Sequence, residues 1–392
     1  MFQWLGRCEP HAREGRLGPE QTLSAASEPI IEGVTRGDFV AILDRLGISL
    51  VLTSRPNLVV FLGAVDGQLT RSTALLGRPV GLAADHGRIA VATARTIIVF
   101  GNASRLAAQY PGRRHHYDAF FVPRVMYFTG DCAMHDMVFS GRAIIGANTK
   151  FSCICRVDGD LSFMPLWRPS FISQLRQEDR CHLNGFAAEG DEVRYATALS
   201  ATDTEAGWRE APDSGGILID VRNDRIMRSD LCMPHSPRIV DDQLYLLNGG
   251  EGEVLCVDRD TGASEVVARL PGFTHGLCAH RGILFVGVSQ NRVSRKANPP
   301  PIARRISSPV AGIAAIDRQS GRILGALDFT AGVTEVYDVK VLPGIRRAGM
   351  QDPLASDGYV SVETPDSVFW TKRPGDDPQH LPSQTQAIIN SI

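Results

Sequence analysis

Little in this 392-residue chain draws it toward a charged partner. It carries 41 Lys and Arg against 43 Asp and Glu, a net charge of −2. No strong field steers it to nucleic acid or to an anionic membrane, and neither is expected as a partner. No run reaches 18 uninterrupted apolar residues, so no transmembrane helix is expected. The opening stretch "MFQWLGRCEPHAREGRLGPEQ" has no apolar segment of signal-peptide length, and a cytoplasmic location is expected. There is no C-x-x-C pair. Most of the eight cysteines lie in apolar, strand-like runs, which favours buried reduced thiols over disulfides or a zinc knot. No G-x-S-x-G, Walker loop or H-E-x-x-H occurs, so nothing argues for hydride or phosphoryl transfer.

Helical periodicity is also scarce. Short β-runs such as "GISLVLTS", "NLVVFLGAV", "GILIDV", "QLYLLN" and "GILFVGVS" dominate, separated by turn signals. Two turns, "VDRDTGASEVV" (257–267) and "IDRQSGRILGA" (316–326), are near copies, with the Asp and Gly that tight hairpins need. Six segments start alike: "PVGLAADHGRIAVA", "MHDMVFSGRAIIGA", "CHLNGFAAEGDEVRYATA", "PHSPRIVDDQLYLL", "THGLCAHRGILFVG" and "VYDVKVLPG". Their equivalent positions are Val80, His135, His182, His235, His275 and Tyr337, spaced by 55, 47, 53, 40 and 62 residues. Each interval suits one four-stranded antiparallel blade with loops. The sixth start has little strand-rich sequence after it, and the strands of residues 47–76 have no inner strand before them. Joining the two completes a blade and leaves no long free edge.

The expected fold is therefore all-β, a six-bladed β-propeller closed by N-terminal strands that join the C-terminal inner strand. The loosely placed "FFVPRVMYFTG" and "GYVSVETPDSVFW" leave a seventh blade open. The expected boundaries are a mobile segment over 1–36, the propeller over 37–345 and a tail over 346–392.

Four consecutive blades present histidine at one equivalent position, from a chain that holds ten. Inner strands line the central channel, so His135, His182, His235 and His275 should converge there as metal ligands. Imidazole suits first-row metals, and iron is expected before copper or zinc, because four imidazoles would close a tetrahedral zinc site. Asp136, Asn184, Tyr337 and Asp338, at or beside the ring positions, are the candidate catalytic residues. The stretch 151–185 has an apolar face at helix-like spacing in "WRPSFISQL", and it reads with "TDTEAGWRE" as a cover for the histidine-bearing mouth. From these loops and the neighbouring strand, Trp167, Arg168, Arg180, Trp208, Arg209 and Arg238 are expected to line a substrate pocket. Its arginines would favour a carboxylate or phosphate. The basic, proline-rich stretch 291–308 reads as a solvated loop.

The motifs "RCHLNG", "LWRPSFIS", "GGILID" and "MPHSPR" resemble a bacterial conserved-hypothetical family of unknown function, over about residues 115–345. The resemblance implies a propeller-like fold and no specific activity. It also implies that His275 is replaceable, since many members carry a "PGF-x-RGL" version of "PGFTHGL" with arginine there. His135, His182 and His235 would then be the core trio. In arrangement alone, the ring is similar to the iron site of carotenoid-cleaving oxygenases.

The expected function is a metal-dependent enzyme, an oxygenase or hydroxylase acting on a small or peptidyl substrate. The alternatives are a propeller that only binds a ligand or protein, and a metal-free lyase or hydrolase working through His and Asp.

Overall fold

The computed structural model describes residues 31–372 except 86, 291–299 and 354–357. Six antiparallel sheets surround one axis as the blades of a propeller. Blade 1 is the closing blade. Its inner strand, Glu335–Pro343, pairs with Ile48–Arg55, and Leu58–Val65 and Gln68–Leu75 follow outward. Ile48 lies opposite Pro343 and Thr53 opposite Asp338, so the two ends of the propeller are joined along a whole strand. The inner strands of blades 2 to 6 are Leu82–Asp85, Met134–Ser140, Leu183–Glu189, Pro234–Val240 and Phe273–His280. "FFVPRVMYFTG" supplies the outer strand of blade 2, Ala119–Phe128, and "GYVSVETPDSVFW" a separate hairpin, Tyr359–Glu363 with Val368–Lys372.

Among the described residues the apolar core has one cluster between each pair of neighbouring blades, and a smaller one packs Leu106 and Ala107 on Phe120 and Val122 of blade 2. Leu50 and Leu52 of blade 1, for example, pack with Phe285 and Ile313 of blade 6. Strands buried on both faces read as near-continuous apolar runs, and Leu58–Val65 does so, whereas Ile48–Arg55 also buries Ser49, Thr53 and Ser54. The two near-copied turns close in the same way. Asp258 accepts the Thr261 N–H at 2.8 Å, and Asp317 accepts the Ser320 N–H at 2.8 Å. A left-handed glycine, Gly262 or Gly321, ends each turn.

The outlines differ from the sequence expectation at both ends. Glu32–Gly37, all but its last residue in the segment expected to be mobile, pairs with Ile323–Ala331 as a fifth strand of blade 6. All six of its residues are exposed, so the backbone ladder holds it and its side chains carry no apolar alternation. Ala348–Met350, in the expected tail, adds in parallel to the outer strand of blade 2. Among the described residues, no helix is long and apolar enough to cross a membrane.

Candidate functional site

The leading ends of the inner strands are irregular in a repeated way. His135 has no partner in the register: Met134 and Asp136 lie opposite the consecutive residues Asn148 and Ala147. Tyr337 is skipped likewise, between Val336 and Asp338. The register also shifts between Leu183 and Gly185, between His235 and Arg238, and between Thr274 and Leu277. Such bulges bend a strand and re-aim a side chain. "MPHSPR" is the densest case. Met233 and Ser236 adopt left-handed φ of 50° and 51°, a conformation unfavourable for non-glycine residues. Pro234 opens the strand and Pro237 falls in the bulge, two places where a missing N–H is tolerated.

These ends bring the histidines together in two pairs. The rings of His135 and His182 are 5.0 Å apart, centroid to centroid, and those of His235 and His275 are 4.2 Å apart. Tyr337 continues the ring at 6.0 Å from His275. Among the described residues, no three of His, Cys, Asp and Glu form a group able to hold a metal ion. The expected convergence of His135, His182 and His235 on one point therefore gives way to neighbouring pairs. Six-fold geometry is the reason. Neighbours in a hexagonal ring sit one radius apart, so four consecutive positions span a full diameter.

Three imidazoles have their tautomer fixed by hydrogen bonds. Thr149 donates its hydroxyl proton to the Leu183 carbonyl at 2.6 Å, so at 2.7 Å from His135 Nδ1 it can only accept. His182 gives its Nδ1–H to the Asp179 carboxylate, at 2.9 and 3.1 Å. His235 gives its Nδ1–H to the Met233 carbonyl at 2.8 Å, and burial pushes its pKa down to about 3, so it is neutral. In each neutral ring, Nε2 then carries the lone pair. Asp179 and Thr149 are hydrogen-bond partners of the histidines that motif reading missed. Asp179 stands three residues before His182 in "EDRCH", where the spacing offered a signal. Thr149 sits on a turn of blade 3 with none.

Beneath the histidines a charge network spans the channel. Arg238 of blade 5 holds Asp136 of blade 3 through two bonds, at 2.7 and 3.0 Å. It lies 3.8 Å from Asp338 of blade 1, which Lys340 meets at 2.8 Å. The carboxylates also join blades: Asp136 accepts the Phe186 N–H and Asp338 the Leu82 N–H. Burial works against the Arg238 cation, but Asp136 and Asp338 outweigh it and hold its pKa above the ordinary value. Burial holds the Asp338 carboxyl above its ordinary range. Asn184 gives its amide to the Pro234 carbonyl and accepts from Thr197. Asp136, Asp338 and Asn184, expected to be catalytic, are thus committed to holding blades together. Arg238, expected at the pocket mouth, is part of the plug below it.

Two long connections, 168–182 and 199–215, meet over the histidine end. Asp203 of one binds Arg180 and the Ser173 N–H of the other. Trp208, on the short 3-10 helix Gly207–Glu210, sets its ring 4.4 Å from that of His182, and Arg209 lies 4.5 Å over the indole. The indole N–H is buried and unpaired. The other pocket residues are placed differently. Trp167 ends the outermost strand of blade 3, opposite Ile154 and away from the axis. Arg168 is turned onto the Ile172 carbonyl. Arg180 is neutralised by Glu178 and Asp203. "WRPSFISQL" forms turns and no helix. Of the stretch 291–308, residues 291–299 lie outside the described residues.

Comparison with known proteins adds no activity. The model of the family described as a domain of unknown function (DUF4915) matches residues 37–350. No curated protein matches the chain. Among solved structures, a chain of a nidogen/laminin complex is similar at 12% identity and a TM-score of 0.49, covering 76% of this chain and 99% of that one. A protein of unknown function from Bacteroides caccae is similar at 12% identity and a TM-score of 0.47, covering 75% and 98%.

Proposed function

The chain belongs to this family of unknown function, and we propose that its histidine mouth is a metal-independent acid–base centre acting on a small substrate. His182 is the proton-transferring group and Asp179 the residue that positions it. The observation that carries this reading is the Asp179–His182 pair, at 2.9 and 3.1 Å, with both side chains largely shielded from solvent. The carboxylate keeps the proton on Nδ1 and leaves the lone pair on Nε2, and it stabilises the imidazolium when Nε2 takes a proton from substrate. In an elimination that proton then passes to the departing group as its bond breaks; in a hydrolysis His182 takes the proton instead from a water that bonds the substrate, and gives it to the leaving group. The pair needs no rearrangement to work, whereas among the described residues a metal would need at least one more ligand drawn in. The seven described cysteines are all free, which fits the reducing cytoplasm that we propose as its compartment.

A second reading, a metal-dependent oxygenase or hydroxylase with iron preferred over copper or zinc, is favoured by a different observation. Three consecutive blades anchor Nδ1–H on an oxygen, the support that metal-binding imidazoles use to present Nε2. One experiment separates the two. Protein purified without a His-tag is assayed for metals, then screened for turnover of small esters, lactones and elimination substrates, with and without chelator. The acid–base reading expects less than stoichiometric metal and chelator-resistant turnover. It expects His182→Ala to lower turnover by about 10²–10⁴-fold, the usual worth of a positioned acid or base. Stoichiometric metal with chelator-sensitive turnover would establish the second reading instead.

A further inference from the structure

We propose that two copies of this chain associate edge to edge across a two-fold axis, through the open half of the outer strand of blade 2, Ala119–Phe128. This surface is independent of the histidine mouth.

Every blade ends in an outer strand whose far edge faces solvent, and such an edge invites pairing with another chain unless something blunts it. Among the described residues, five of the six edges are blunted. Arg225–Leu231 of blade 4 carries Arg228 and Asp230, Ser264–Arg269 of blade 5 carries Glu265 and Arg269, and Glu32–Gly37 of blade 6 carries Glu32 and Arg36. Met164–Trp167 of blade 3 is four residues long and contains Pro165. Gln68–Leu75 of blade 1 is covered, since Thr70 and Ser72 donate their hydroxyls to the Arg346 and Ala348 carbonyls at 2.6 and 2.5 Å. Blade 2 is different. Ala348–Met350 pairs with Ala119–Phe121 and goes no further. Arg124, the last charge on the strand, is neutralised by Glu363. What remains is Val125–Phe128, "VMYF", with neither charge nor proline.

These four residues pair with Thr96–Val99 without a register shift, so the edge is regular. The Thr129 N–H goes to the Arg95 carbonyl at 3.1 Å, one step beyond the Phe128–Thr96 pair. Hydrogen-bonded and non-hydrogen-bonded pairs alternate along an antiparallel ladder. Met126 and Phe128 therefore turn their N–H and C=O away from the sheet, toward the open edge. Tyr127 packs between blades 2 and 3, while Val125, Met126 and Phe128 are 43%, 41% and 66% exposed. Backbone groups and apolar side chains are thus offered together. The lack of charge points to a second copy as the occupant. A two-fold axis sets each nearby residue against its own copy, so a charge there repels itself, whereas an uncharged edge is self-complementary. Antiparallel pairing about an axis through Tyr127 puts Met126 of each copy opposite Phe128 of the other. It leaves both Arg124 side chains outside the paired segment. The three exposed side chains offer roughly 300 Å² per copy, below the about 800 Å² of a standard interface. The dimer is accordingly weak and concentration-dependent.

The test is sedimentation velocity on the full chain over a concentration series reaching about 300 µM, where a micromolar dimer is populated. Hydrogen exchange is followed by mass spectrometry at both ends of the series. Monomer should give way to dimer as concentration rises, and peptides spanning 122–130 should gain protection in step. Met126→Lys and Phe128→Lys each place a charge beside the axis and should raise the dissociation constant at least tenfold, with the melting temperature nearly unchanged. Ile226→Lys, the same change at an exposed position on the outer strand of blade 4, should leave association as it was. The exchange measurement uses the unaltered chain, so it decides the matter even where a lysine variant folds poorly. A monomer at every concentration, a dimer indifferent to both edge lysines, or protection that falls outside 122–130 overturns the proposal.

Discussion

Replacing Asp136 by alanine tests whether the charge network is scaffold or chemistry. The carboxylate is 3% exposed and holds Arg238 at 2.7 and 3.0 Å, and it also accepts the Phe186 N–H at 3.2 Å. Breaking one side of a buried pair leaves an uncompensated charge and costs about 3–5 kcal/mol. The orphaned Phe186 N–H adds to this, while Asp338, at 3.8 Å from the guanidinium, offsets part of it. A net loss of about 3–5 kcal/mol is expected for Asp136→Ala. The assay is urea unfolding followed by circular dichroism, in which the midpoint should fall with little change in slope. The double variant Asp136→Leu with Arg238→Met removes both charges and should recover most of the loss, since apolar replacement of a buried pair is often nearly neutral. The refuting result is a loss below about 1 kcal/mol together with abolished turnover. That would make Asp136 a reacting group and the blade-joining account wrong.

Two further outcomes follow from the same geometry. With its pKa near 3 in the folded protein against 6.5 in the unfolded chain, His235 binds its extra proton only on unfolding between those values. Stability should therefore fall as pH drops through that window, by up to about 1.4 kcal/mol per pH unit, and His235→Phe should flatten that slope in urea titrations. Removing residues 1–57 deletes Ile48–Arg55, which sits between Glu335–Pro343 and Leu58–Val65. Cooperative thermal unfolding should vanish, whereas a chain that starts at residue 38, losing the exposed strand Glu32–Gly37 and the single core residue Ile31 among the described residues, should still melt cooperatively.

The architecture was legible because a propeller repeats its errors as well as its rules. The strands announce themselves through apolar runs and turn residues, and "GISLVLTS" had no inner partner until "VYDVKVLPG" supplied one. The ring of equivalent positions was legible for the same reason. Partners reached across blades were not. Nothing near Arg238 in sequence marks Asp136, 102 residues away, as its counter-ion. "MHD" and "VYD" looked like a histidine or tyrosine beside a catalytic acid, and each Asp is instead the residue after the bulge, turned to the plug. "WRPSFISQL" has helical spacing by composition, but Arg168 and Asp203 tie the segment into turns. Glu32–Gly37 was invisible because a strand exposed on every residue has no alternation to read.

The bulges and the plug together decide how the mouth can be used. Bulges at the leading ends put the ring residues above the regular part of each inner strand, and the following residues, Asp136 and Asp338, fall one layer lower. Charged side chains from alternate blades, 1, 3 and 5, then cross the axis and tie blades 2, 4 and 6 through Leu82, Phe186 and Leu277. A network that fixes all six blades cannot open for a passing molecule without loosening the whole ring. If the histidine mouth is the functional site, as proposed above, the network closes it on one side and leaves the side under 168–182 and 199–215 for entry. Those connections hold each other through Asp203 with Arg180 and Ser173, and they rest Trp208 on His182. Under the acid–base reading proposed above, access to His182 would be controlled at that contact.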